Sequence, residues 1–448
     1  MKKVITYGTF DLMHQGHLNI LKRARALGDY LIVGVTSNSY DKERGKLNVQ
    51  QSVLERVENV RSTGLADEIL IEEYEGQKVT DIQTHDVNVF VIGSDWEGKF
   101  DYLREYCEVV YLERTRGISS TMLRENQNAI IRFGMIGNGR IARRFVSENR
   151  YVSGSTIQGV YNPNLSSAQR FANEFELEFA TDSLEEFYSK IDAVYIATPH
   201  LTHADYIRKS LENGKHVLCE KPMVMDDRDL SELYAMADDK GLVLLEAVKT
   251  AFCPGFQHLM LIAKSGKIGS IKDVEATFTK LTQKGLRELS ADCAGGSLYE
   301  LGTYALLPIY RLLGIDYKKM SFYSYMEDNV DLFTKGFLQY ENATASFKVG
   351  LGVKSEGDLI ISGSKGYIYV PAPWWKTEYF EVRYENLSDT DKYFYKFEGE
   401  GLRYEILEFL QLIHGKQKES IFLPRKESLT IAKALRKYSN GTDVEYIK

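Results

Sequence analysis

Twice in this 448-residue chain a short β-branched run ends in a glycine turn and passes straight into a helix. The first run is Lys3–Tyr7, followed by Gly8-Thr9-Phe10-Asp11 and a helical stretch over Gly16–Leu27 with Leu18, Leu21 and Ala24 on one face. The second is Ile130–Ile136, followed by Gly137-Asn138-Gly139-Arg140-Ile141-Ala142. A strand that turns into a helix through glycine opens a parallel α/β unit. Two such units are therefore expected, the second restarting near residue 129 after the polar link Asn126-Gln127-Asn128.

The intervening pattern supports this. Strands are expected at Tyr30–Val35, Glu68–Ile71, Val89–Ile92 and Val109–Tyr111, with a helix over Gln51–Ser62. After the restart they are expected at Val152–Tyr161, Ala193–Thr198, His216–Cys219 and Leu242–Glu246. Strands alternating with helices make a parallel sheet covered on both faces. From about residue 250 longer alternating segments take over, at Ile271–Leu281, Lys319–Tyr325, Gly336–Tyr340, Thr344–Val349, Asp358–Ser362 and Tyr379–Tyr384. These predict a mostly antiparallel sheet. The expected fold class is α/β: a Rossmann-like domain over 1–127, a doubly wound dinucleotide-binding domain over 128–249, and an α+β domain with a large open sheet over 250–448.

Composition excludes several alternatives. Hydrophobic residues make up 44% and charged residues 27%, which argues against disorder. The net charge is −7, so no basic excess exists to neutralise a nucleic-acid backbone. No apolar run reaches the length of a membrane span, and Asp11, His14 and His17 fall where a signal peptide needs its apolar core. Cys107, Cys219, Cys253 and Cys293 form no CxxC pair, which fits reduced thiols in the cytoplasm and no structural metal site.

The first glycine turn leads into His14-Gln15-Gly16-His17. Gly8 lets backbone amides approach a ligand, and the positive end of the following helix favours a phosphate. His14 and His17, three apart, share a helical face near that pole. Their N–H donors suit an α-phosphate whose charge builds during in-line displacement. Further along, Arg114-Thr115-Arg116-Gly117-Ile118-Ser119-Ser120-Thr121 places cap residues after a chain-breaking glycine. The amides and hydroxyls of Ser119, Ser120 and Thr121 make a second anion cradle for β- and γ-phosphates, with Arg114 adding fixed charge. No Ser-His-Asp set suggests a covalent intermediate, and phosphoryl-type transfer needs positioning more than a nucleophile.

GTFDxxHxGH with RTxGISSTxxR resembles the cytidylyltransferases of the nucleotidyltransferase superfamily. GDYLIVGV, VFVIGSDWEGKF and CEVVYLERT extend the likeness to the bacterial glycerol-3-phosphate cytidylyltransferases, through about residue 126. That resemblance implies synthesis of CDP-glycerol and pyrophosphate from CTP and glycerol 3-phosphate with Mg²⁺. It implies that His14 and His17 stabilise the transition state and that Ser119–Thr121 bind the triphosphate together with Gly8, Thr9, Phe10, Asp11, Arg114 and Thr115. Lys46 would neutralise phosphate charge, and Lys46, Arg56, Asp95 and Trp96 would line the polyol-phosphate site. Lys46 and Arg56 also fit solvated surface charges, because the loop between 38 and 56 departs from the family pattern.

The second turn, GxGxxA between strand and helix, has the context of a dinucleotide fingerprint over Gly137, Asn138, Gly139, Arg140, Ile141 and Ala142. The next strand ends at Asn162, where an acidic residue often holds ribose hydroxyls. Asn162 does not repel a 2′-phosphate, yet no arginine follows it, so NAD and NADP both remain open. Thr198 and Pro199 end a later strand at the edge where a ligand crevice is expected. Glu220-Lys221-Pro222 ends another, and a lysine there can shuttle a proton beside the cofactor. In Gly295–Tyr304, Glu300 and Tyr304 are four apart and share a face if helical. Tyr304 fits either a proton donor beside Lys221 or a packing residue between helix and sheet.

GxGxxA, ATPHLTHA, GKHVLCEKP and AGGSLYELGTY together resemble the Gfo/Idh/MocA family of NAD(P)-dependent oxidoreductases, and the likeness covers residues 129 to 448. The family implies Lys221 as the catalytic lysine and an open sheet that builds homo-oligomers. Many members carry Asp and His where this chain has Glu300 and Tyr304. Glu220 and His203 would shape the cofactor pocket, although His203 equally suits a structural role. A transferase joined to a reductase suggests that a carbonyl compound is reduced to a polyol or its phosphate, then activated as a CDP-polyol for teichoic-acid or capsule polymers. In an alternative, ribitol phosphate or a similar polyol phosphate is activated and the reductase acts on the CDP-linked product or a related sugar. A nucleotide-sensing protein with an inactive half is a third reading, against which the intact motifs stand.

Overall fold

The computed structural model describes the chain except residues 12, 14, 44–48, 50, 75, 113–129, 387 and 448, and the side chains at 15, 16, 42, 43 and 95. It divides into two compact units, Met1–Ile130 and Ile131–Lys448.

In the first unit β1 (Lys3–Gly8), β2 (Tyr30–Thr36), β3 (Glu68–Glu72), β4 (Val89–Gly93) and β5 (Glu108–Leu112) form one parallel sheet in the order β3-β2-β1-β4-β5. The connecting helices are α1 (Gln15–Arg25), α2 (Asn38–Glu43), α3 (Val53–Ser62) and α4 (Gln77–Thr84). The sheet's two faces carry separate cores, one around Val4, Val33 and Val91 and one around Ile5, Ile32 and Phe90. That division follows from side chains alternating along each strand. Helix α3 starts where Ser52 and Glu55 complete a capping box: the Glu55 amide donates to Ser52 Oγ at 3.3 Å, and the Ser52 amide donates to Glu55 Oε2 at 2.7 Å.

The second unit opens with a six-stranded parallel sheet of order β11-β10-β9-β6-β7-β8. Its strands are β6 (Ile131–Ile136), β7 (Ser155–Tyr161), β8 (Phe179–Thr181), β9 (Ala193–Ile196), β10 (His216–Glu220) and β11 (Leu244–Ala247). Helices α5 (Arg140–Asn149), α6 (Leu165–Phe175), α7 (Leu184–Ser189), α8 (His203–Glu212) and α9 (Asp227–Asp239) connect them. In both parallel sheets the strand order reverses beside the first strand, between β1 and β4 and between β6 and β9. Ligands of doubly wound folds bind in the crevice at that point.

After α10 (Lys249–Phe252) and α11 (Pro254–Lys264) comes a nine-stranded sheet of order β19-β18-β17-β16-β12-β15-β14-β13-β20. Its strands are β12 (Ile271–Thr279), β13 (Lys319–Glu327), β14 (Val330–Gln339), β15 (Thr344–Gly350), β16 (Leu359–Gly363), β17 (Gly366–Val370), β18 (Tyr379–Tyr384), β19 (Thr390–Phe394) and β20 (Val444–Ile447). Pairing is antiparallel except between β12 and β15 and between β13 and β20. Helix α12 (Ser297–Leu313) packs across β12, β14 and β15. Helices α13 (Leu402–His414) and α14 (Arg425–Ser439) complete the unit, and among the described residues no helix is long and apolar enough to cross a membrane.

The mostly antiparallel sheet matches the sequence pattern, with local corrections. The strand expected at Gly336–Tyr340 begins six residues earlier, at Val330. Asp328 and Asn329 both take positive φ, 51° and 61°, and close a two-residue hairpin in which Glu327 faces Val330.

Candidate active sites

In the first unit β1 delivers Gly8, Thr9, Phe10 and Asp11 to the reversal point of the sheet. A side chain at Gly8 would meet the Phe10 ring at 3.0 Å, so glycine there keeps the strand end open. Phe10 has φ 53° and a buried ring, which meets the His17 imidazole edge-on at 5.4 Å between centroids. His17 thus sits in the first turn of α1 against the strand end it follows in sequence. Thr9 Oγ1 donates to Asp41 Oδ1 at 2.8 Å, and Asp11 Oδ1 accepts from the Gln51 amide at 3.0 Å.

Arg56 differs from both sequence expectations. Its side chain is fully buried. Nη1 donates to the Thr9 carbonyl at 2.7 Å, the Thr36 carbonyl at 2.8 Å and Asp41 Oδ2 at 3.2 Å, Nη2 donates to Asn38 Oδ1, and Nε donates to the Gln51 carbonyl at 3.1 Å. Arg56 is neither a surface charge nor an open phosphate ligand. It ties the end of β1 to the end of β2 and to the start of α3. Trp96 lies in the 3₁₀ turn Ser94–Trp96 after β4, packs on Phe100 at 5.9 Å and is covered by Lys99 at 4.9 Å. Asp95 shares that turn. His14, Lys46, Arg114, Thr115, Ser119, Ser120 and Thr121 lie outside the described residues.

Sequence reasoning missed one buried polar group in this unit. Lys78 pairs with Glu72 and stands 4.6 Å above the Tyr7 ring, and the Tyr7 hydroxyl donates to Asp81 Oδ2 at 2.7 Å. Burial and the neighbouring carboxylates push the Tyr7 hydroxyl's pKa far up, so it stays a donor.

The second unit holds a cleft of about 980 Å³ at the reversal point between β6 and β9. Gly137, Asn138, Gly139, Arg140 and Ile141 form one wall, while Ala142 is buried beneath it against the core. Gly137 has φ 98°, and a Cβ there would lie 2.5 Å from the Ala197 carbonyl oxygen. A Cβ at Gly139 would meet nothing within 4 Å, so the turn leaves room above the amino end of α5. That is a cradle of the right kind for a pyrophosphate, and the space fits a nicotinamide dinucleotide. Asn162 lines the same wall, its amide donating to Asn138 Oδ1 at 3.1 Å, and Asn138 in turn donates to Ser167 Oγ at 2.8 Å. No carboxylate enters this chain of bonds.

Thr198 and Pro199 also line the cleft. His203 is fully buried, with Nδ1 3.0 Å from the Pro222 carbonyl and Nε2 3.0 Å from the Thr198 carbonyl. It braces the ends of β9 and β10, the structural alternative left open by sequence.

Lys221 follows β10, joined to Pro222 by a cis peptide. Its Nζ donates to the Glu300 carbonyl at 2.9 Å and lies 3.7 Å from Glu300 Oε2 and 5.7 Å from the centre of the Tyr304 ring. Helix α12 turns both Glu300 and Tyr304 into the cleft, one turn apart, as their spacing requires. Glu300 also lies 3.6 Å from His200 Nε2. Burial pushes the Glu300 carboxyl up, but Lys221 above all, with Arg287 and Lys280, outweighs it and holds the group ionised. Burial holds His200 near a pKa of about 3 and therefore neutral. Tyr304 is pushed well above its ordinary value by burial, then by the Glu220 charge. Its ring also packs on Phe278 at 5.3 Å, so Tyr304 serves the helix–sheet contact and the cleft together.

Glu220 accepts from the Tyr195 hydroxyl at 2.5 Å and from the Lys221 amide at 3.2 Å. Glu405 on α13 lines the cleft too, with neither carboxyl oxygen hydrogen-bonded among the described residues. Burial, then the Glu220 charge, pushes Glu405 far up, so it carries a proton. Lys280, Arg287, Trp375 and Glu405 are cleft residues that sequence reasoning missed. They come from separate elements and form no local motif.

Two nucleotide-binding α/β units thus occur in one chain, the second with a lysine–carboxylate–tyrosine group beside a dinucleotide cradle. Comparison with known proteins gives the families. Residues 5–126 match the cytidylyltransferase-like family, and residues 131–248 match the NAD-binding Rossmann fold of the Gfo/Idh/MocA oxidoreductase family. Glycerol-3-phosphate cytidylyltransferase of Bacillus spizizenii is 48% identical over 130 residues, which is 29% of this chain and all of that protein. The scyllo-inositol 2-dehydrogenase (NADP⁺) of Bacillus subtilis is 28% identical over 333 residues, 71% of this chain and 98% of that protein. A 3-ketoreductase from Actinomadura kijaniata, crystallised with NADP and TDP-benzene, shares the fold at a TM-score of 0.65 and 23% identity, covering 71% of this chain and 99% of that one. The first unit belongs to the cytidylyltransferase-like family, the second carries an oxidoreductase domain of the Gfo/Idh/MocA type, and the chain is an enzyme of both classes.

Proposed function

We propose that the first unit transfers a cytidylyl group from CTP to a polyol phosphate, glycerol 3-phosphate being the acceptor best supported. We further propose that the second unit uses NAD(P)H to reduce a carbonyl compound to a polyol or its phosphate. The products would supply precursors of teichoic-acid or capsule polymers. The observation that carries the reading is the placement of Lys221, Glu300 and Tyr304 in a cleft walled by the Gly137–Ile141 turn, in a chain whose other unit is 48% identical to a glycerol-3-phosphate cytidylyltransferase.

In the transferase, an oxygen of the acceptor phosphate attacks the α-phosphorus of CTP. The bond to the β-phosphate oxygen breaks and pyrophosphate leaves. His14 and His17 donate to the α-phosphate oxygens as charge gathers there. The first turn of α1 and the open backbone at Gly8 hold the triphosphate, joined by Ser119–Thr121. Mg²⁺ would enter as the counter-ion of the triphosphate, most of its remaining ligands being water.

In the oxidoreductase, the reduced nicotinamide supplies a hydride when bound. The amino end of α5 would hold the pyrophosphate, and Asn162 and Asn138 would hold the ribose end. Glu300 fixes the Lys221 ammonium, which points at the carbonyl oxygen and donates the proton that completes reduction. Tyr304, kept protonated, donates a second hydrogen bond to the same oxygen.

The test uses the full-length protein with two assays, pyrophosphate release from CTP and polyol phosphates, and NAD(P)H oxidation with carbonyl substrates. His17→Ala should abolish transfer and leave NAD(P) binding intact. Lys221→Ala should lower reduction by about 10²–10⁴-fold and leave transfer intact. Loss of both activities from either change, with the fold retained, would refute independent sites. Absence of pyrophosphate release with glycerol, ribitol and erythritol phosphates alike would refute the transferase reading.

A further inference from the structure

The charges around Lys221 do not balance. Arg140 pairs with Glu288 at 3.2 Å, and Lys221 pairs with Glu300 at 3.7 Å. Lys280 and Arg287 line the same cleft, yet neither side chain makes a hydrogen bond or an ion pair among the described residues. His200, neutral, adds nothing. Lys221, Arg140, Lys280 and Arg287 therefore face Glu288, Glu300 and the buried Glu220 at this end of the cleft, one cation in excess, in a chain whose net charge is −7. Lys280 follows β12 directly and is half-buried, and Arg287 opens the 3₁₀ turn Arg287–Leu289 at the rim. Glu300 and Glu288 act on the Lys280 ammonium only at a distance, and a partly desolvated ammonium without a direct ion pair is costly, a cost that a ligand bringing negative charge lowers.

We infer that Lys280 and Arg287 form a phosphoryl-binding site for the carbonyl substrate of the reductase, an inference that rests on the reductase reading proposed above. The substrate's phosphoryl group lies between these two side chains, with its carbonyl facing Lys221. A phosphate monoester carries about −1.5 to −2 charges at neutral pH, which more than offsets the local excess. Arginine offers a planar fork and lysine a mobile point charge, a pairing suited to tetrahedral phosphate oxygens. The phosphoryl group has two sources, a monoester on a free keto-polyol or the diphosphate of a nucleotide-linked substrate. Either would connect the two units chemically, since the transferase consumes a phosphate monoester and produces a nucleotide diphosphate.

The experiment compares NADPH oxidation by the full-length protein with dihydroxyacetone phosphate, ribulose 5-phosphate, their unphosphorylated forms, and a CDP-linked keto-polyol. At least a tenfold higher kcat/KM for a phosphorylated compound than for its unphosphorylated form is expected. The free monoesters and the CDP-linked compound separate the two sources. Lys280→Gln and Arg287→Gln should each raise KM for the phosphorylated substrate about tenfold or more, shrink the discrimination ratio, and leave NADPH affinity, read by its fluorescence, within twofold of wild type. Equal rates with and without phosphate overturn the inference. So does a loss of NADPH affinity in the variants, which would give these cations to the cofactor's own phosphates. Should no carbonyl compound be reduced, the reductase reading fails separately. Inorganic phosphate titrated into NADPH-loaded protein then decides the anion site: a change in bound-NADPH fluorescence that Lys280→Gln abolishes supports it, and none overturns it.

Discussion

Arg403→Met should be among the most destabilising single changes in the second unit. Arg403, in the first turn of α13, grips Glu148 of α5 with two bonds, Nε to Oε2 and Nη2 to Oε1, each 2.9 Å long. The two side chains are 9% and 6% exposed, so neither charge has water to fall back on. Removing the guanidinium leaves a buried carboxylate alone, which costs about 3–5 kcal/mol. At about 2 °C per kcal/mol for a unit of this size, the melting temperature should fall by about 6–10 °C. The double variant Glu148→Leu/Arg403→Met removes both charges and should recover most of the loss. The pH dependence adds a second check. Burial raises the Glu148 carboxyl, but the bonds and charge of Arg403 more than offset it and leave the group below its ordinary value. A depressed carboxyl contributes stability that is present above the unfolded-state pKa and lost as pH falls through the folded-state pKa. The gap between wild type and Arg403→Met should thus be widest near neutrality and narrow below pH about 4. Calorimetric unfolding of the second unit's transition at several pH values measures it. A penalty under about 1 kcal/mol, or a gap independent of pH, would refute the reasoning.

Three further outcomes are expected. Asp331 caps the start of α12 by accepting from the Leu298 amide at 2.9 Å and from Thr334 Oγ1 at 2.6 Å, and burial raises it from 3.8 to about 7. The folded state then binds the proton more tightly, so stability should decline from pH about 4 to about 7 and level off above, by at most about 4 kcal/mol, and Asp331→Asn should flatten that slope in pH-dependent urea melts. Gly137→Ala should abolish NAD(P)H binding in a fluorescence titration, because its Cβ would meet the Ala197 carbonyl at 2.5 Å and its φ is 98°. Ser52→Ala should cost the first unit about 0.5–2 kcal/mol by opening the capping box, and a change below the error of chemical denaturation would contradict that role.

Both parallel sheets were legible because each starts with an apolar run that ends in glycine, and local chemistry fixes that turn. The third sheet was legible as antiparallel but not in its order. Its parallel pairing of β12 with β15 and of β13 with β20 depends on contacts far apart in sequence. Strands β17, β19 and β20 passed unnoticed, short segments with glycine, lysine or glutamate among their apolar residues. The same limit applies to the cleft. Lys221, Glu300 and Tyr304 stood out because each sits in a compact motif. Glu405 reads as one more helix residue, and only the packing of α13 brings it beside Glu220. Arg56 shows the opposite failure: a charged residue in a polar helix reads as solvated, whereas five donor bonds keep it inside.

The imidazole of His203 has a practical bearing on any mutational scan of this enzyme. Its ring links the two loops that carry the cofactor wall and the Lys221 ammonium, since the carbonyls it meets belong to Thr198 and Pro222. Replacing it would let those loops drift apart and would score as harshly as deleting a reacting group. A ranking by lost turnover alone would then count a hinge pin among the chemists, and only a split between cofactor affinity and proton-transfer rate would tell them apart.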